Sequence, residues 1–163
     1  MLFIELNRIE KTMTDILWDD LDVGQIYKSG TIKLDKNQLI DFAQTFDPQP
    51  MHTNEEQAKD SFFGQLVGSG WHTLSSTIRL LAEAKPFGRT PLIGMEVDKV
   101  RFVKPLLPDA ELQAIMEVIS LRESRQKERG YVRVKVTTTA NSEPILTQEW
   151  LMLMPRKKPD LGD

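Results

Sequence analysis

The order of sequence patterns predicts an α+β domain in which one long helix covers an antiparallel sheet. One alternating run near the N-terminus is followed by a helical stretch up to about residue 85, and beyond it four alternating runs rich in Val, Ile, Thr and Met succeed one another. Strands joined by short polar turns read as antiparallel neighbours, and such a sheet needs an element to bury one of its faces. Only one amphipathic helix is long enough to serve.

Taken in order, GQIYKSGTIKL alternates as a first strand over residues 24–34. In DKNQLIDFAQTF the apolar residues Leu39, Ile40, Phe42, Ala43 and Phe46 recur at helical spacing, Asp35 stands where a cap belongs, and Pro48 stops the helix. Thr53 and Glu56 have capping-box spacing ahead of a short second helix over residues 54–60. The glycine-punctuated FFGQLVGSG leads into the main helix, residues 70–85. Its stripe Trp71, Leu74, Ile78, Leu81 and Ala82 is expected in the core, with His72, Ser76, Arg79 and Glu83 outward and His72 at the surface or a subunit contact. Residues 93–104, 110–122, 130–140 and 145–154 then read as four successive antiparallel strands. Residues 1–12 read as an extension, 13–156 as a single domain, and 157–163 as a frayed polar tail.

At 163 residues, 40% hydrophobic and 28% charged, the chain suits one domain with a real core. Its net charge of −3, with both signs interspersed, gives no reason to expect nucleic acid or a membrane surface as partner. Without cysteine there are no disulfides or thiolate metal sites, and with two histidines no metal is expected. No apolar run approaches the roughly 20 residues that cross a bilayer, and a cytoplasmic location is expected.

The chemistry-bearing stretch is Asp47-Pro48-Gln49-Pro50-Met51-His52, where an acid and an imidazole flank two residues of fixed φ. A residue before proline is pushed toward extended backbone, so Asp47 and Gln49 are confined and the segment is expected to be a rigid rail. Taken alone, Asp47 also fits a helix end and His52 a hydrogen-bonded structural histidine.

FAQTFDPQPMH, the spaced Ala58, FFGQLVGSGW and VRFVKPLLPDAEL together resemble the MaoC-like dehydratases, relatives of the R-specific enoyl-CoA hydratases, over about residues 24–154. The resemblance implies a hotdog fold, a curved antiparallel sheet wrapped around one long central helix, acting on acyl thioesters of coenzyme A without another cofactor. It implies reversible syn addition of water to a trans-2-enoyl-CoA, giving an R-3-hydroxyacyl-CoA. Asp47 and His52 would hold the water and move its protons, and the Gly70 amide would meet the thioester oxygen at the start of the long helix, where amides are unpaired. Where relatives often have Gly, Asn and His, this chain has Phe46, Gln49 and Ser69, placed to shape substrate binding; the serine many hydratases carry in the long helix falls at Ile78. Arg101 and Lys104 are candidate contacts for the phosphates of coenzyme A. A sheet with an open edge predicts a homodimer or higher assembly of dimers. A hotdog thioesterase and a non-catalytic acyl-CoA-binding protein are the alternatives.

Overall fold

The structure, a computed structural model, describes residues 14–158; the expected extension 1–12 lies outside the described residues. Strands β1 (Ile26–Lys33), β2 (Ile93–Phe102), β3 (Glu111–Glu123), β4 (Arg129–Ala140) and β5 (Glu143–Pro155) form one five-stranded sheet, with helices α1 (Lys36–Phe46), α2 (Pro50–Thr53), α3 (Glu55–Ala58) and α4 (Gly70–Ala84) between β1 and β2. All neighbours are antiparallel and the order is β1-β3-β4-β5-β2. The expected meander of four successive strands therefore holds for β3, β4 and β5 only. β2 crosses to the far edge beside β5, because β1 occupies the free side of β3. Alternation reveals which residues share a face of a strand, not which strand lies alongside.

The β4–β5 connection is tighter than NSEP suggested. Asn141 and Ser142 both have positive φ (48° and 69°) and form a two-residue hairpin turn, so the next strand begins already at Glu143. Along β3 and β4 the inward positions Leu112, Ala114, Met116 and Val118 face Val132, Val134 and Val136, all fully buried. Leu146, Met152 and Met154 of β5 continue this layer, and Leu39, Leu80, Leu81 and Phe87 close it from the helical side.

Helix α4 meets the sheet with a different face from the one its apolar stripe predicts. Its buried residues are Thr73, Ser76, Thr77, Leu80 and Leu81, while Trp71 is 63% and Ile78 43% exposed. Small hydroxyl side chains permit close approach, and that of Thr77 is satisfied internally. The Thr77 hydroxyl donates to Thr73 O at 2.7 Å, leaving its oxygen to accept from Thr138 Oγ1 of β4 at 2.5 Å. Of the residues expected outward, Ser76 is buried, and Arg79 and Glu83 pair on the surface.

The segment after α1 also departs from expectation. Gln49 is extended (φ −81°, ψ 141°), but Pro50 then opens a helical turn, so His52 sits in α2 and not on an extended rail. Thr53 bonds backward to Gln49 O, and Asn54 caps α3 by accepting from Gln57 N at 3.0 Å. Asp35 does cap α1, in a reciprocal box with Gln38. The start of the tail is tied down. Arg156 donates to Asp19 and Glu123 and lies over the Trp18 ring, and the Lys157 amide reaches Asp19.

Candidate active site

Asp47 ends α1, its backbone N–H bonded to Ala43 O and its φ and ψ (−152°, 67°) outside the helical region. This turns its side chain toward the start of α4, where Ser69 is the cap residue and completely buried. The Ser69 hydroxyl donates to Asp47 Oδ2 at 2.6 Å and accepts from the Trp71 amide at 3.2 Å. Gln49 Nε2 donates to Asp47 Oδ1 at 2.7 Å, so each carboxylate oxygen has one protein donor. Burial alone pushes the Asp47 carboxyl up, but the hydrogen bonds from Ser69 and Gln49, aided by His52 whenever its ring is protonated, outweigh it and hold Asp47 below the ordinary aspartate range.

His52 is 5% exposed, and its Nδ1 lies 2.8 Å from Val67 O. A carbonyl only accepts, so Nδ1 carries the proton and Nε2 is the ring nitrogen left facing Asp47 Oδ2, 3.4 Å away. The loop carrying Val67 is itself bonded to this turn through Val67 N and Met51 O. At 3.4 Å the two groups are close enough to share one small polar molecule, each through a lone pair. Among the described residues no group of three or more His, Asp or Glu side chains is placed to hold a metal ion.

Gly70 follows as the first residue of α4. Its N–H makes no hydrogen bond among the described residues, as expected for a first-turn amide. A Cβ on Gly70 would lie 2.5 Å from Cε1 of Phe102, so the ring of β2 packs directly on this glycine. Beyond Phe102 opens a cleft of about 1060 Å³ between α4 and the β2–β5 side of the sheet. Its walls include Phe42, Phe46, Trp71, Leu74, Ile78 and Phe102. Asp47 and His52 are not in its lining; they adjoin it through Phe46, next to Asp47, and Trp71, next to Gly70. Trp71 and Ile78 thus serve the cleft, not the core.

Asp47, His52, Gln49 and Ser69 are brought together, Gly70 lies beside them, and Phe46 lies at the cleft. Arg101 and Lys104 are not brought to this cluster: Arg101 is exposed on edge strand β2, and Lys104 is ion-paired with Glu143. His72 is no plain surface residue. It is half-buried and stacked on Phe42 at 4.2 Å, its Nδ1 has no partner among the described residues, and burial pushes its imidazole below the ordinary histidine range. Sequence reasoning missed the Val67 carbonyl, which as backbone has no signature, and Phe102. It also missed Gln148 and Trp150, although a Gln on the inward register of an apolar strand was a readable signal.

A carboxyl held low in the folded state contributes stability above the unfolded aspartate value of about 3.9, and that contribution is lost as pH falls through the lower folded value. Ser69→Ala removes one of the two donors responsible. It should lower Tm at pH 7 by about 3–10 °C, and the deficit should shrink as the pH is taken below that of free aspartate. Calorimetry across pH checks this; a deficit independent of pH would mean that Ser69 acts only by packing.

Comparison with known proteins identifies the family and the fold. The sequence profile of the MaoC-like domain matches residues 21–140. The chain is 34% identical over 125 residues to the uncharacterized protein YdeM of Bacillus subtilis (strain 168), covering 77% of this chain and 88% of that protein. Among solved structures it is similar to a MaoC-like dehydratase from Rhodospirillum rubrum, with TM-score 0.79, 30% identity, and coverage of 88% of this chain and 99% of that one. It shares its fold with the R-hydratase PhaJ1 of Pseudomonas aeruginosa at TM-score 0.66 and 20% identity, over 91% of this chain and 93% of that one. The sheet around α4 is thus a hotdog fold, and the chain belongs to the MaoC-like domain family.

Proposed function

We propose that this protein is a lyase that adds water reversibly across the double bond of a trans-2-enoyl-CoA. The observation that carries the reading is the pair Asp47 Oδ2 and His52 Nε2 at 3.4 Å, with the imidazole tautomer set by Val67 O. One water donates a hydrogen bond to each group and presents its oxygen to C3 of the substrate. Nε2 takes the water's proton as the hydroxide bonds to C3, and Asp47 stabilises the imidazolium that forms. The electron pair of the double bond moves onto the thioester oxygen, toward the unpaired Gly70 amide at the positive end of α4. The imidazolium then returns the proton to C2, so hydroxyl and hydrogen join the same face and His52 is neutral again. An R-3-hydroxyacyl product is part of this proposal, in keeping with the resemblance of the Asp47–His52 segment to the MaoC-like dehydratases. No chemistry beyond acid–base transfer is needed.

Asp47→Asn and His52→Ala should each lower hydration of crotonyl-CoA by about two to four orders of magnitude. The double variant should lose far less than the product of the two, because the residues act as one unit. Folded single variants with near-normal turnover would overturn the mechanism.

Any test of Gly70 must allow for Phe102. Gly70→Ala presses a methyl against that ring, so activity lost through the clash should return in the Gly70→Ala/Phe102→Ala double variant. Loss through crowding of the thioester should not return, and that is the result expected. Gly68 is no neutral control, since a Cβ there would lie 2.8 Å from Leu106 and 3.1 Å from Leu39.

The assembly proposed is a homodimer formed along β2. This edge strand leaves Met95 56%, Val97 58% and Phe102 55% exposed, a density of apolar surface that isolated edges avoid. Light scattering at micromolar concentration should give twice the chain mass; a monomer would refute the assembly.

A further inference from the structure

The cleft beside the proposed active site is largely apolar, with Ser75, Glu96, Gln148 and the Trp150 indole as its polar lining. Gln148 and Trp150 project from the inward register of β5, both line the cleft, and they are only 2% and 7% exposed. Gln148 Nε2 and Trp150 Nε1 are both buried without a hydrogen-bond partner among the described residues. A folded domain holds only a few such atoms, because an unmade buried hydrogen bond forfeits the solvation the group had in water; the third among the described residues is His72 Nδ1. Here there are two on one strand, two residues apart, which puts both on the same face of the sheet.

The rest of the lining narrows what they await. Trp150 Nε1 only donates, and Gln148 offers an amide that donates or accepts, so the missing partner carries an oxygen acceptor. Among the described residues lining the cleft the sole charged one is Glu96, an acid that pairs with Arg133 at 3.5 Å, and no Lys or Arg is present. An anion would meet no compensating charge. The one hydroxyl among the described lining residues, that of Ser75, donates to Trp71 O at 2.9 Å. The volume suits a small-molecule chain, and apolar walls with a few placed polar groups are how such sites achieve selectivity.

We infer that Gln148 and Trp150 form a specificity site for a neutral oxygen, a ketone or hydroxyl, carried by the acyl chain of the thioester away from the reacting double bond. The inference rests on the hydratase reading for its choice of thioester. A plain alkyl chain would fill the walls and leave both donors unpaired, a penalty paid at every binding event. An oxygenated chain relieves it, so selectivity arises from what the wrong ligand leaves unmade.

Binding, not turnover, tests this independently of the reaction. Isothermal titration of the wild-type protein with octanoyl-CoA and with oxo-octanoyl-CoA isomers, bearing the ketone at mid-chain or near the far end, reads the preference on ligands that cannot be hydrated. One oxo isomer should bind at least about tenfold tighter than octanoyl-CoA. The chain ending in a carboxylate should bind no better than octanoyl-CoA. In Trp150→Phe and Gln148→Leu the preference should fall below about threefold. Equal binding of all oxo isomers and octanoyl-CoA by the wild type would overturn the inference even if both variants failed to fold. Tightest binding of the carboxylate would overturn its neutrality, and a preference kept in folded variants would remove Gln148 and Trp150 from the site. Absence of crotonyl-CoA hydration with the preference intact would instead count against the hydratase reading alone.

Discussion

The carboxylate of Asp47 is the point at which three separate pieces of chain are tied. Through Oδ2 it holds the Ser69 hydroxyl and so the first turn of α4, and through Oδ1 it holds Gln49. Across 3.4 Å it faces the imidazole of α2. The opposite nitrogen of that imidazole is anchored to the loop that runs into α4. The cluster therefore closes a ring through α1, α2 and the 67–69 segment. Such a ring fixes geometry at small cost, since every partner is itself placed by a cap or a turn. It also favours the ionised form of Asp47, the form the proposed hydration needs.

Around this ring the fold divides its apolar surface between two tasks. The inward positions of β3, β4 and β5 build a dry core with Leu39, Leu80 and Leu81. The stripe of Trp71, Leu74 and Ile78 on α4 instead faces the cleft together with Phe102 and Val100 of β2. Hydroxyl-bearing Thr73, Ser76 and Thr77 take the position against the sheet, where the Thr77 and Thr138 hydroxyls satisfy each other. A helix so placed is supported from beneath by short side chains and presents its large ones to a ligand or a second subunit.

This division explains what could and could not be read beforehand. Strand positions were legible because alternation has period two and the polar turns are short, and the pairing of Asp47 with His52 was legible from the family motif they share, while the prolines suggested an extended rail where Pro50 in fact opens a helical turn. The crossing of β2 to the far edge was not, since it depends on β1 having taken the place beside β3. Periodicity marked one face of α4 as apolar, but hydrophobicity does not distinguish a face buried in the core from one reserved for a ligand. The role of Ser69 as a donor to Asp47 and of Val67 O as the anchor of His52 are contacts between segments far apart in sequence, and one of them is made by backbone. The pairing of Lys104 with Glu143, at the start of β5, was likewise hidden by their separation in sequence.

The central claim is that one pair, Asp47 and His52, delivers both parts of a single water to one face of an enoyl thioester. Hydration of crotonyl-CoA in deuterium oxide, with the product's configuration and its deuterium position read by nuclear magnetic resonance, tests this most directly. The account predicts R-3-hydroxybutyryl-CoA with a single deuterium at C2 on the face that received the hydroxyl. Deuterium on the opposite face, or release of free coenzyme A in place of a hydroxyacyl product, would contradict it.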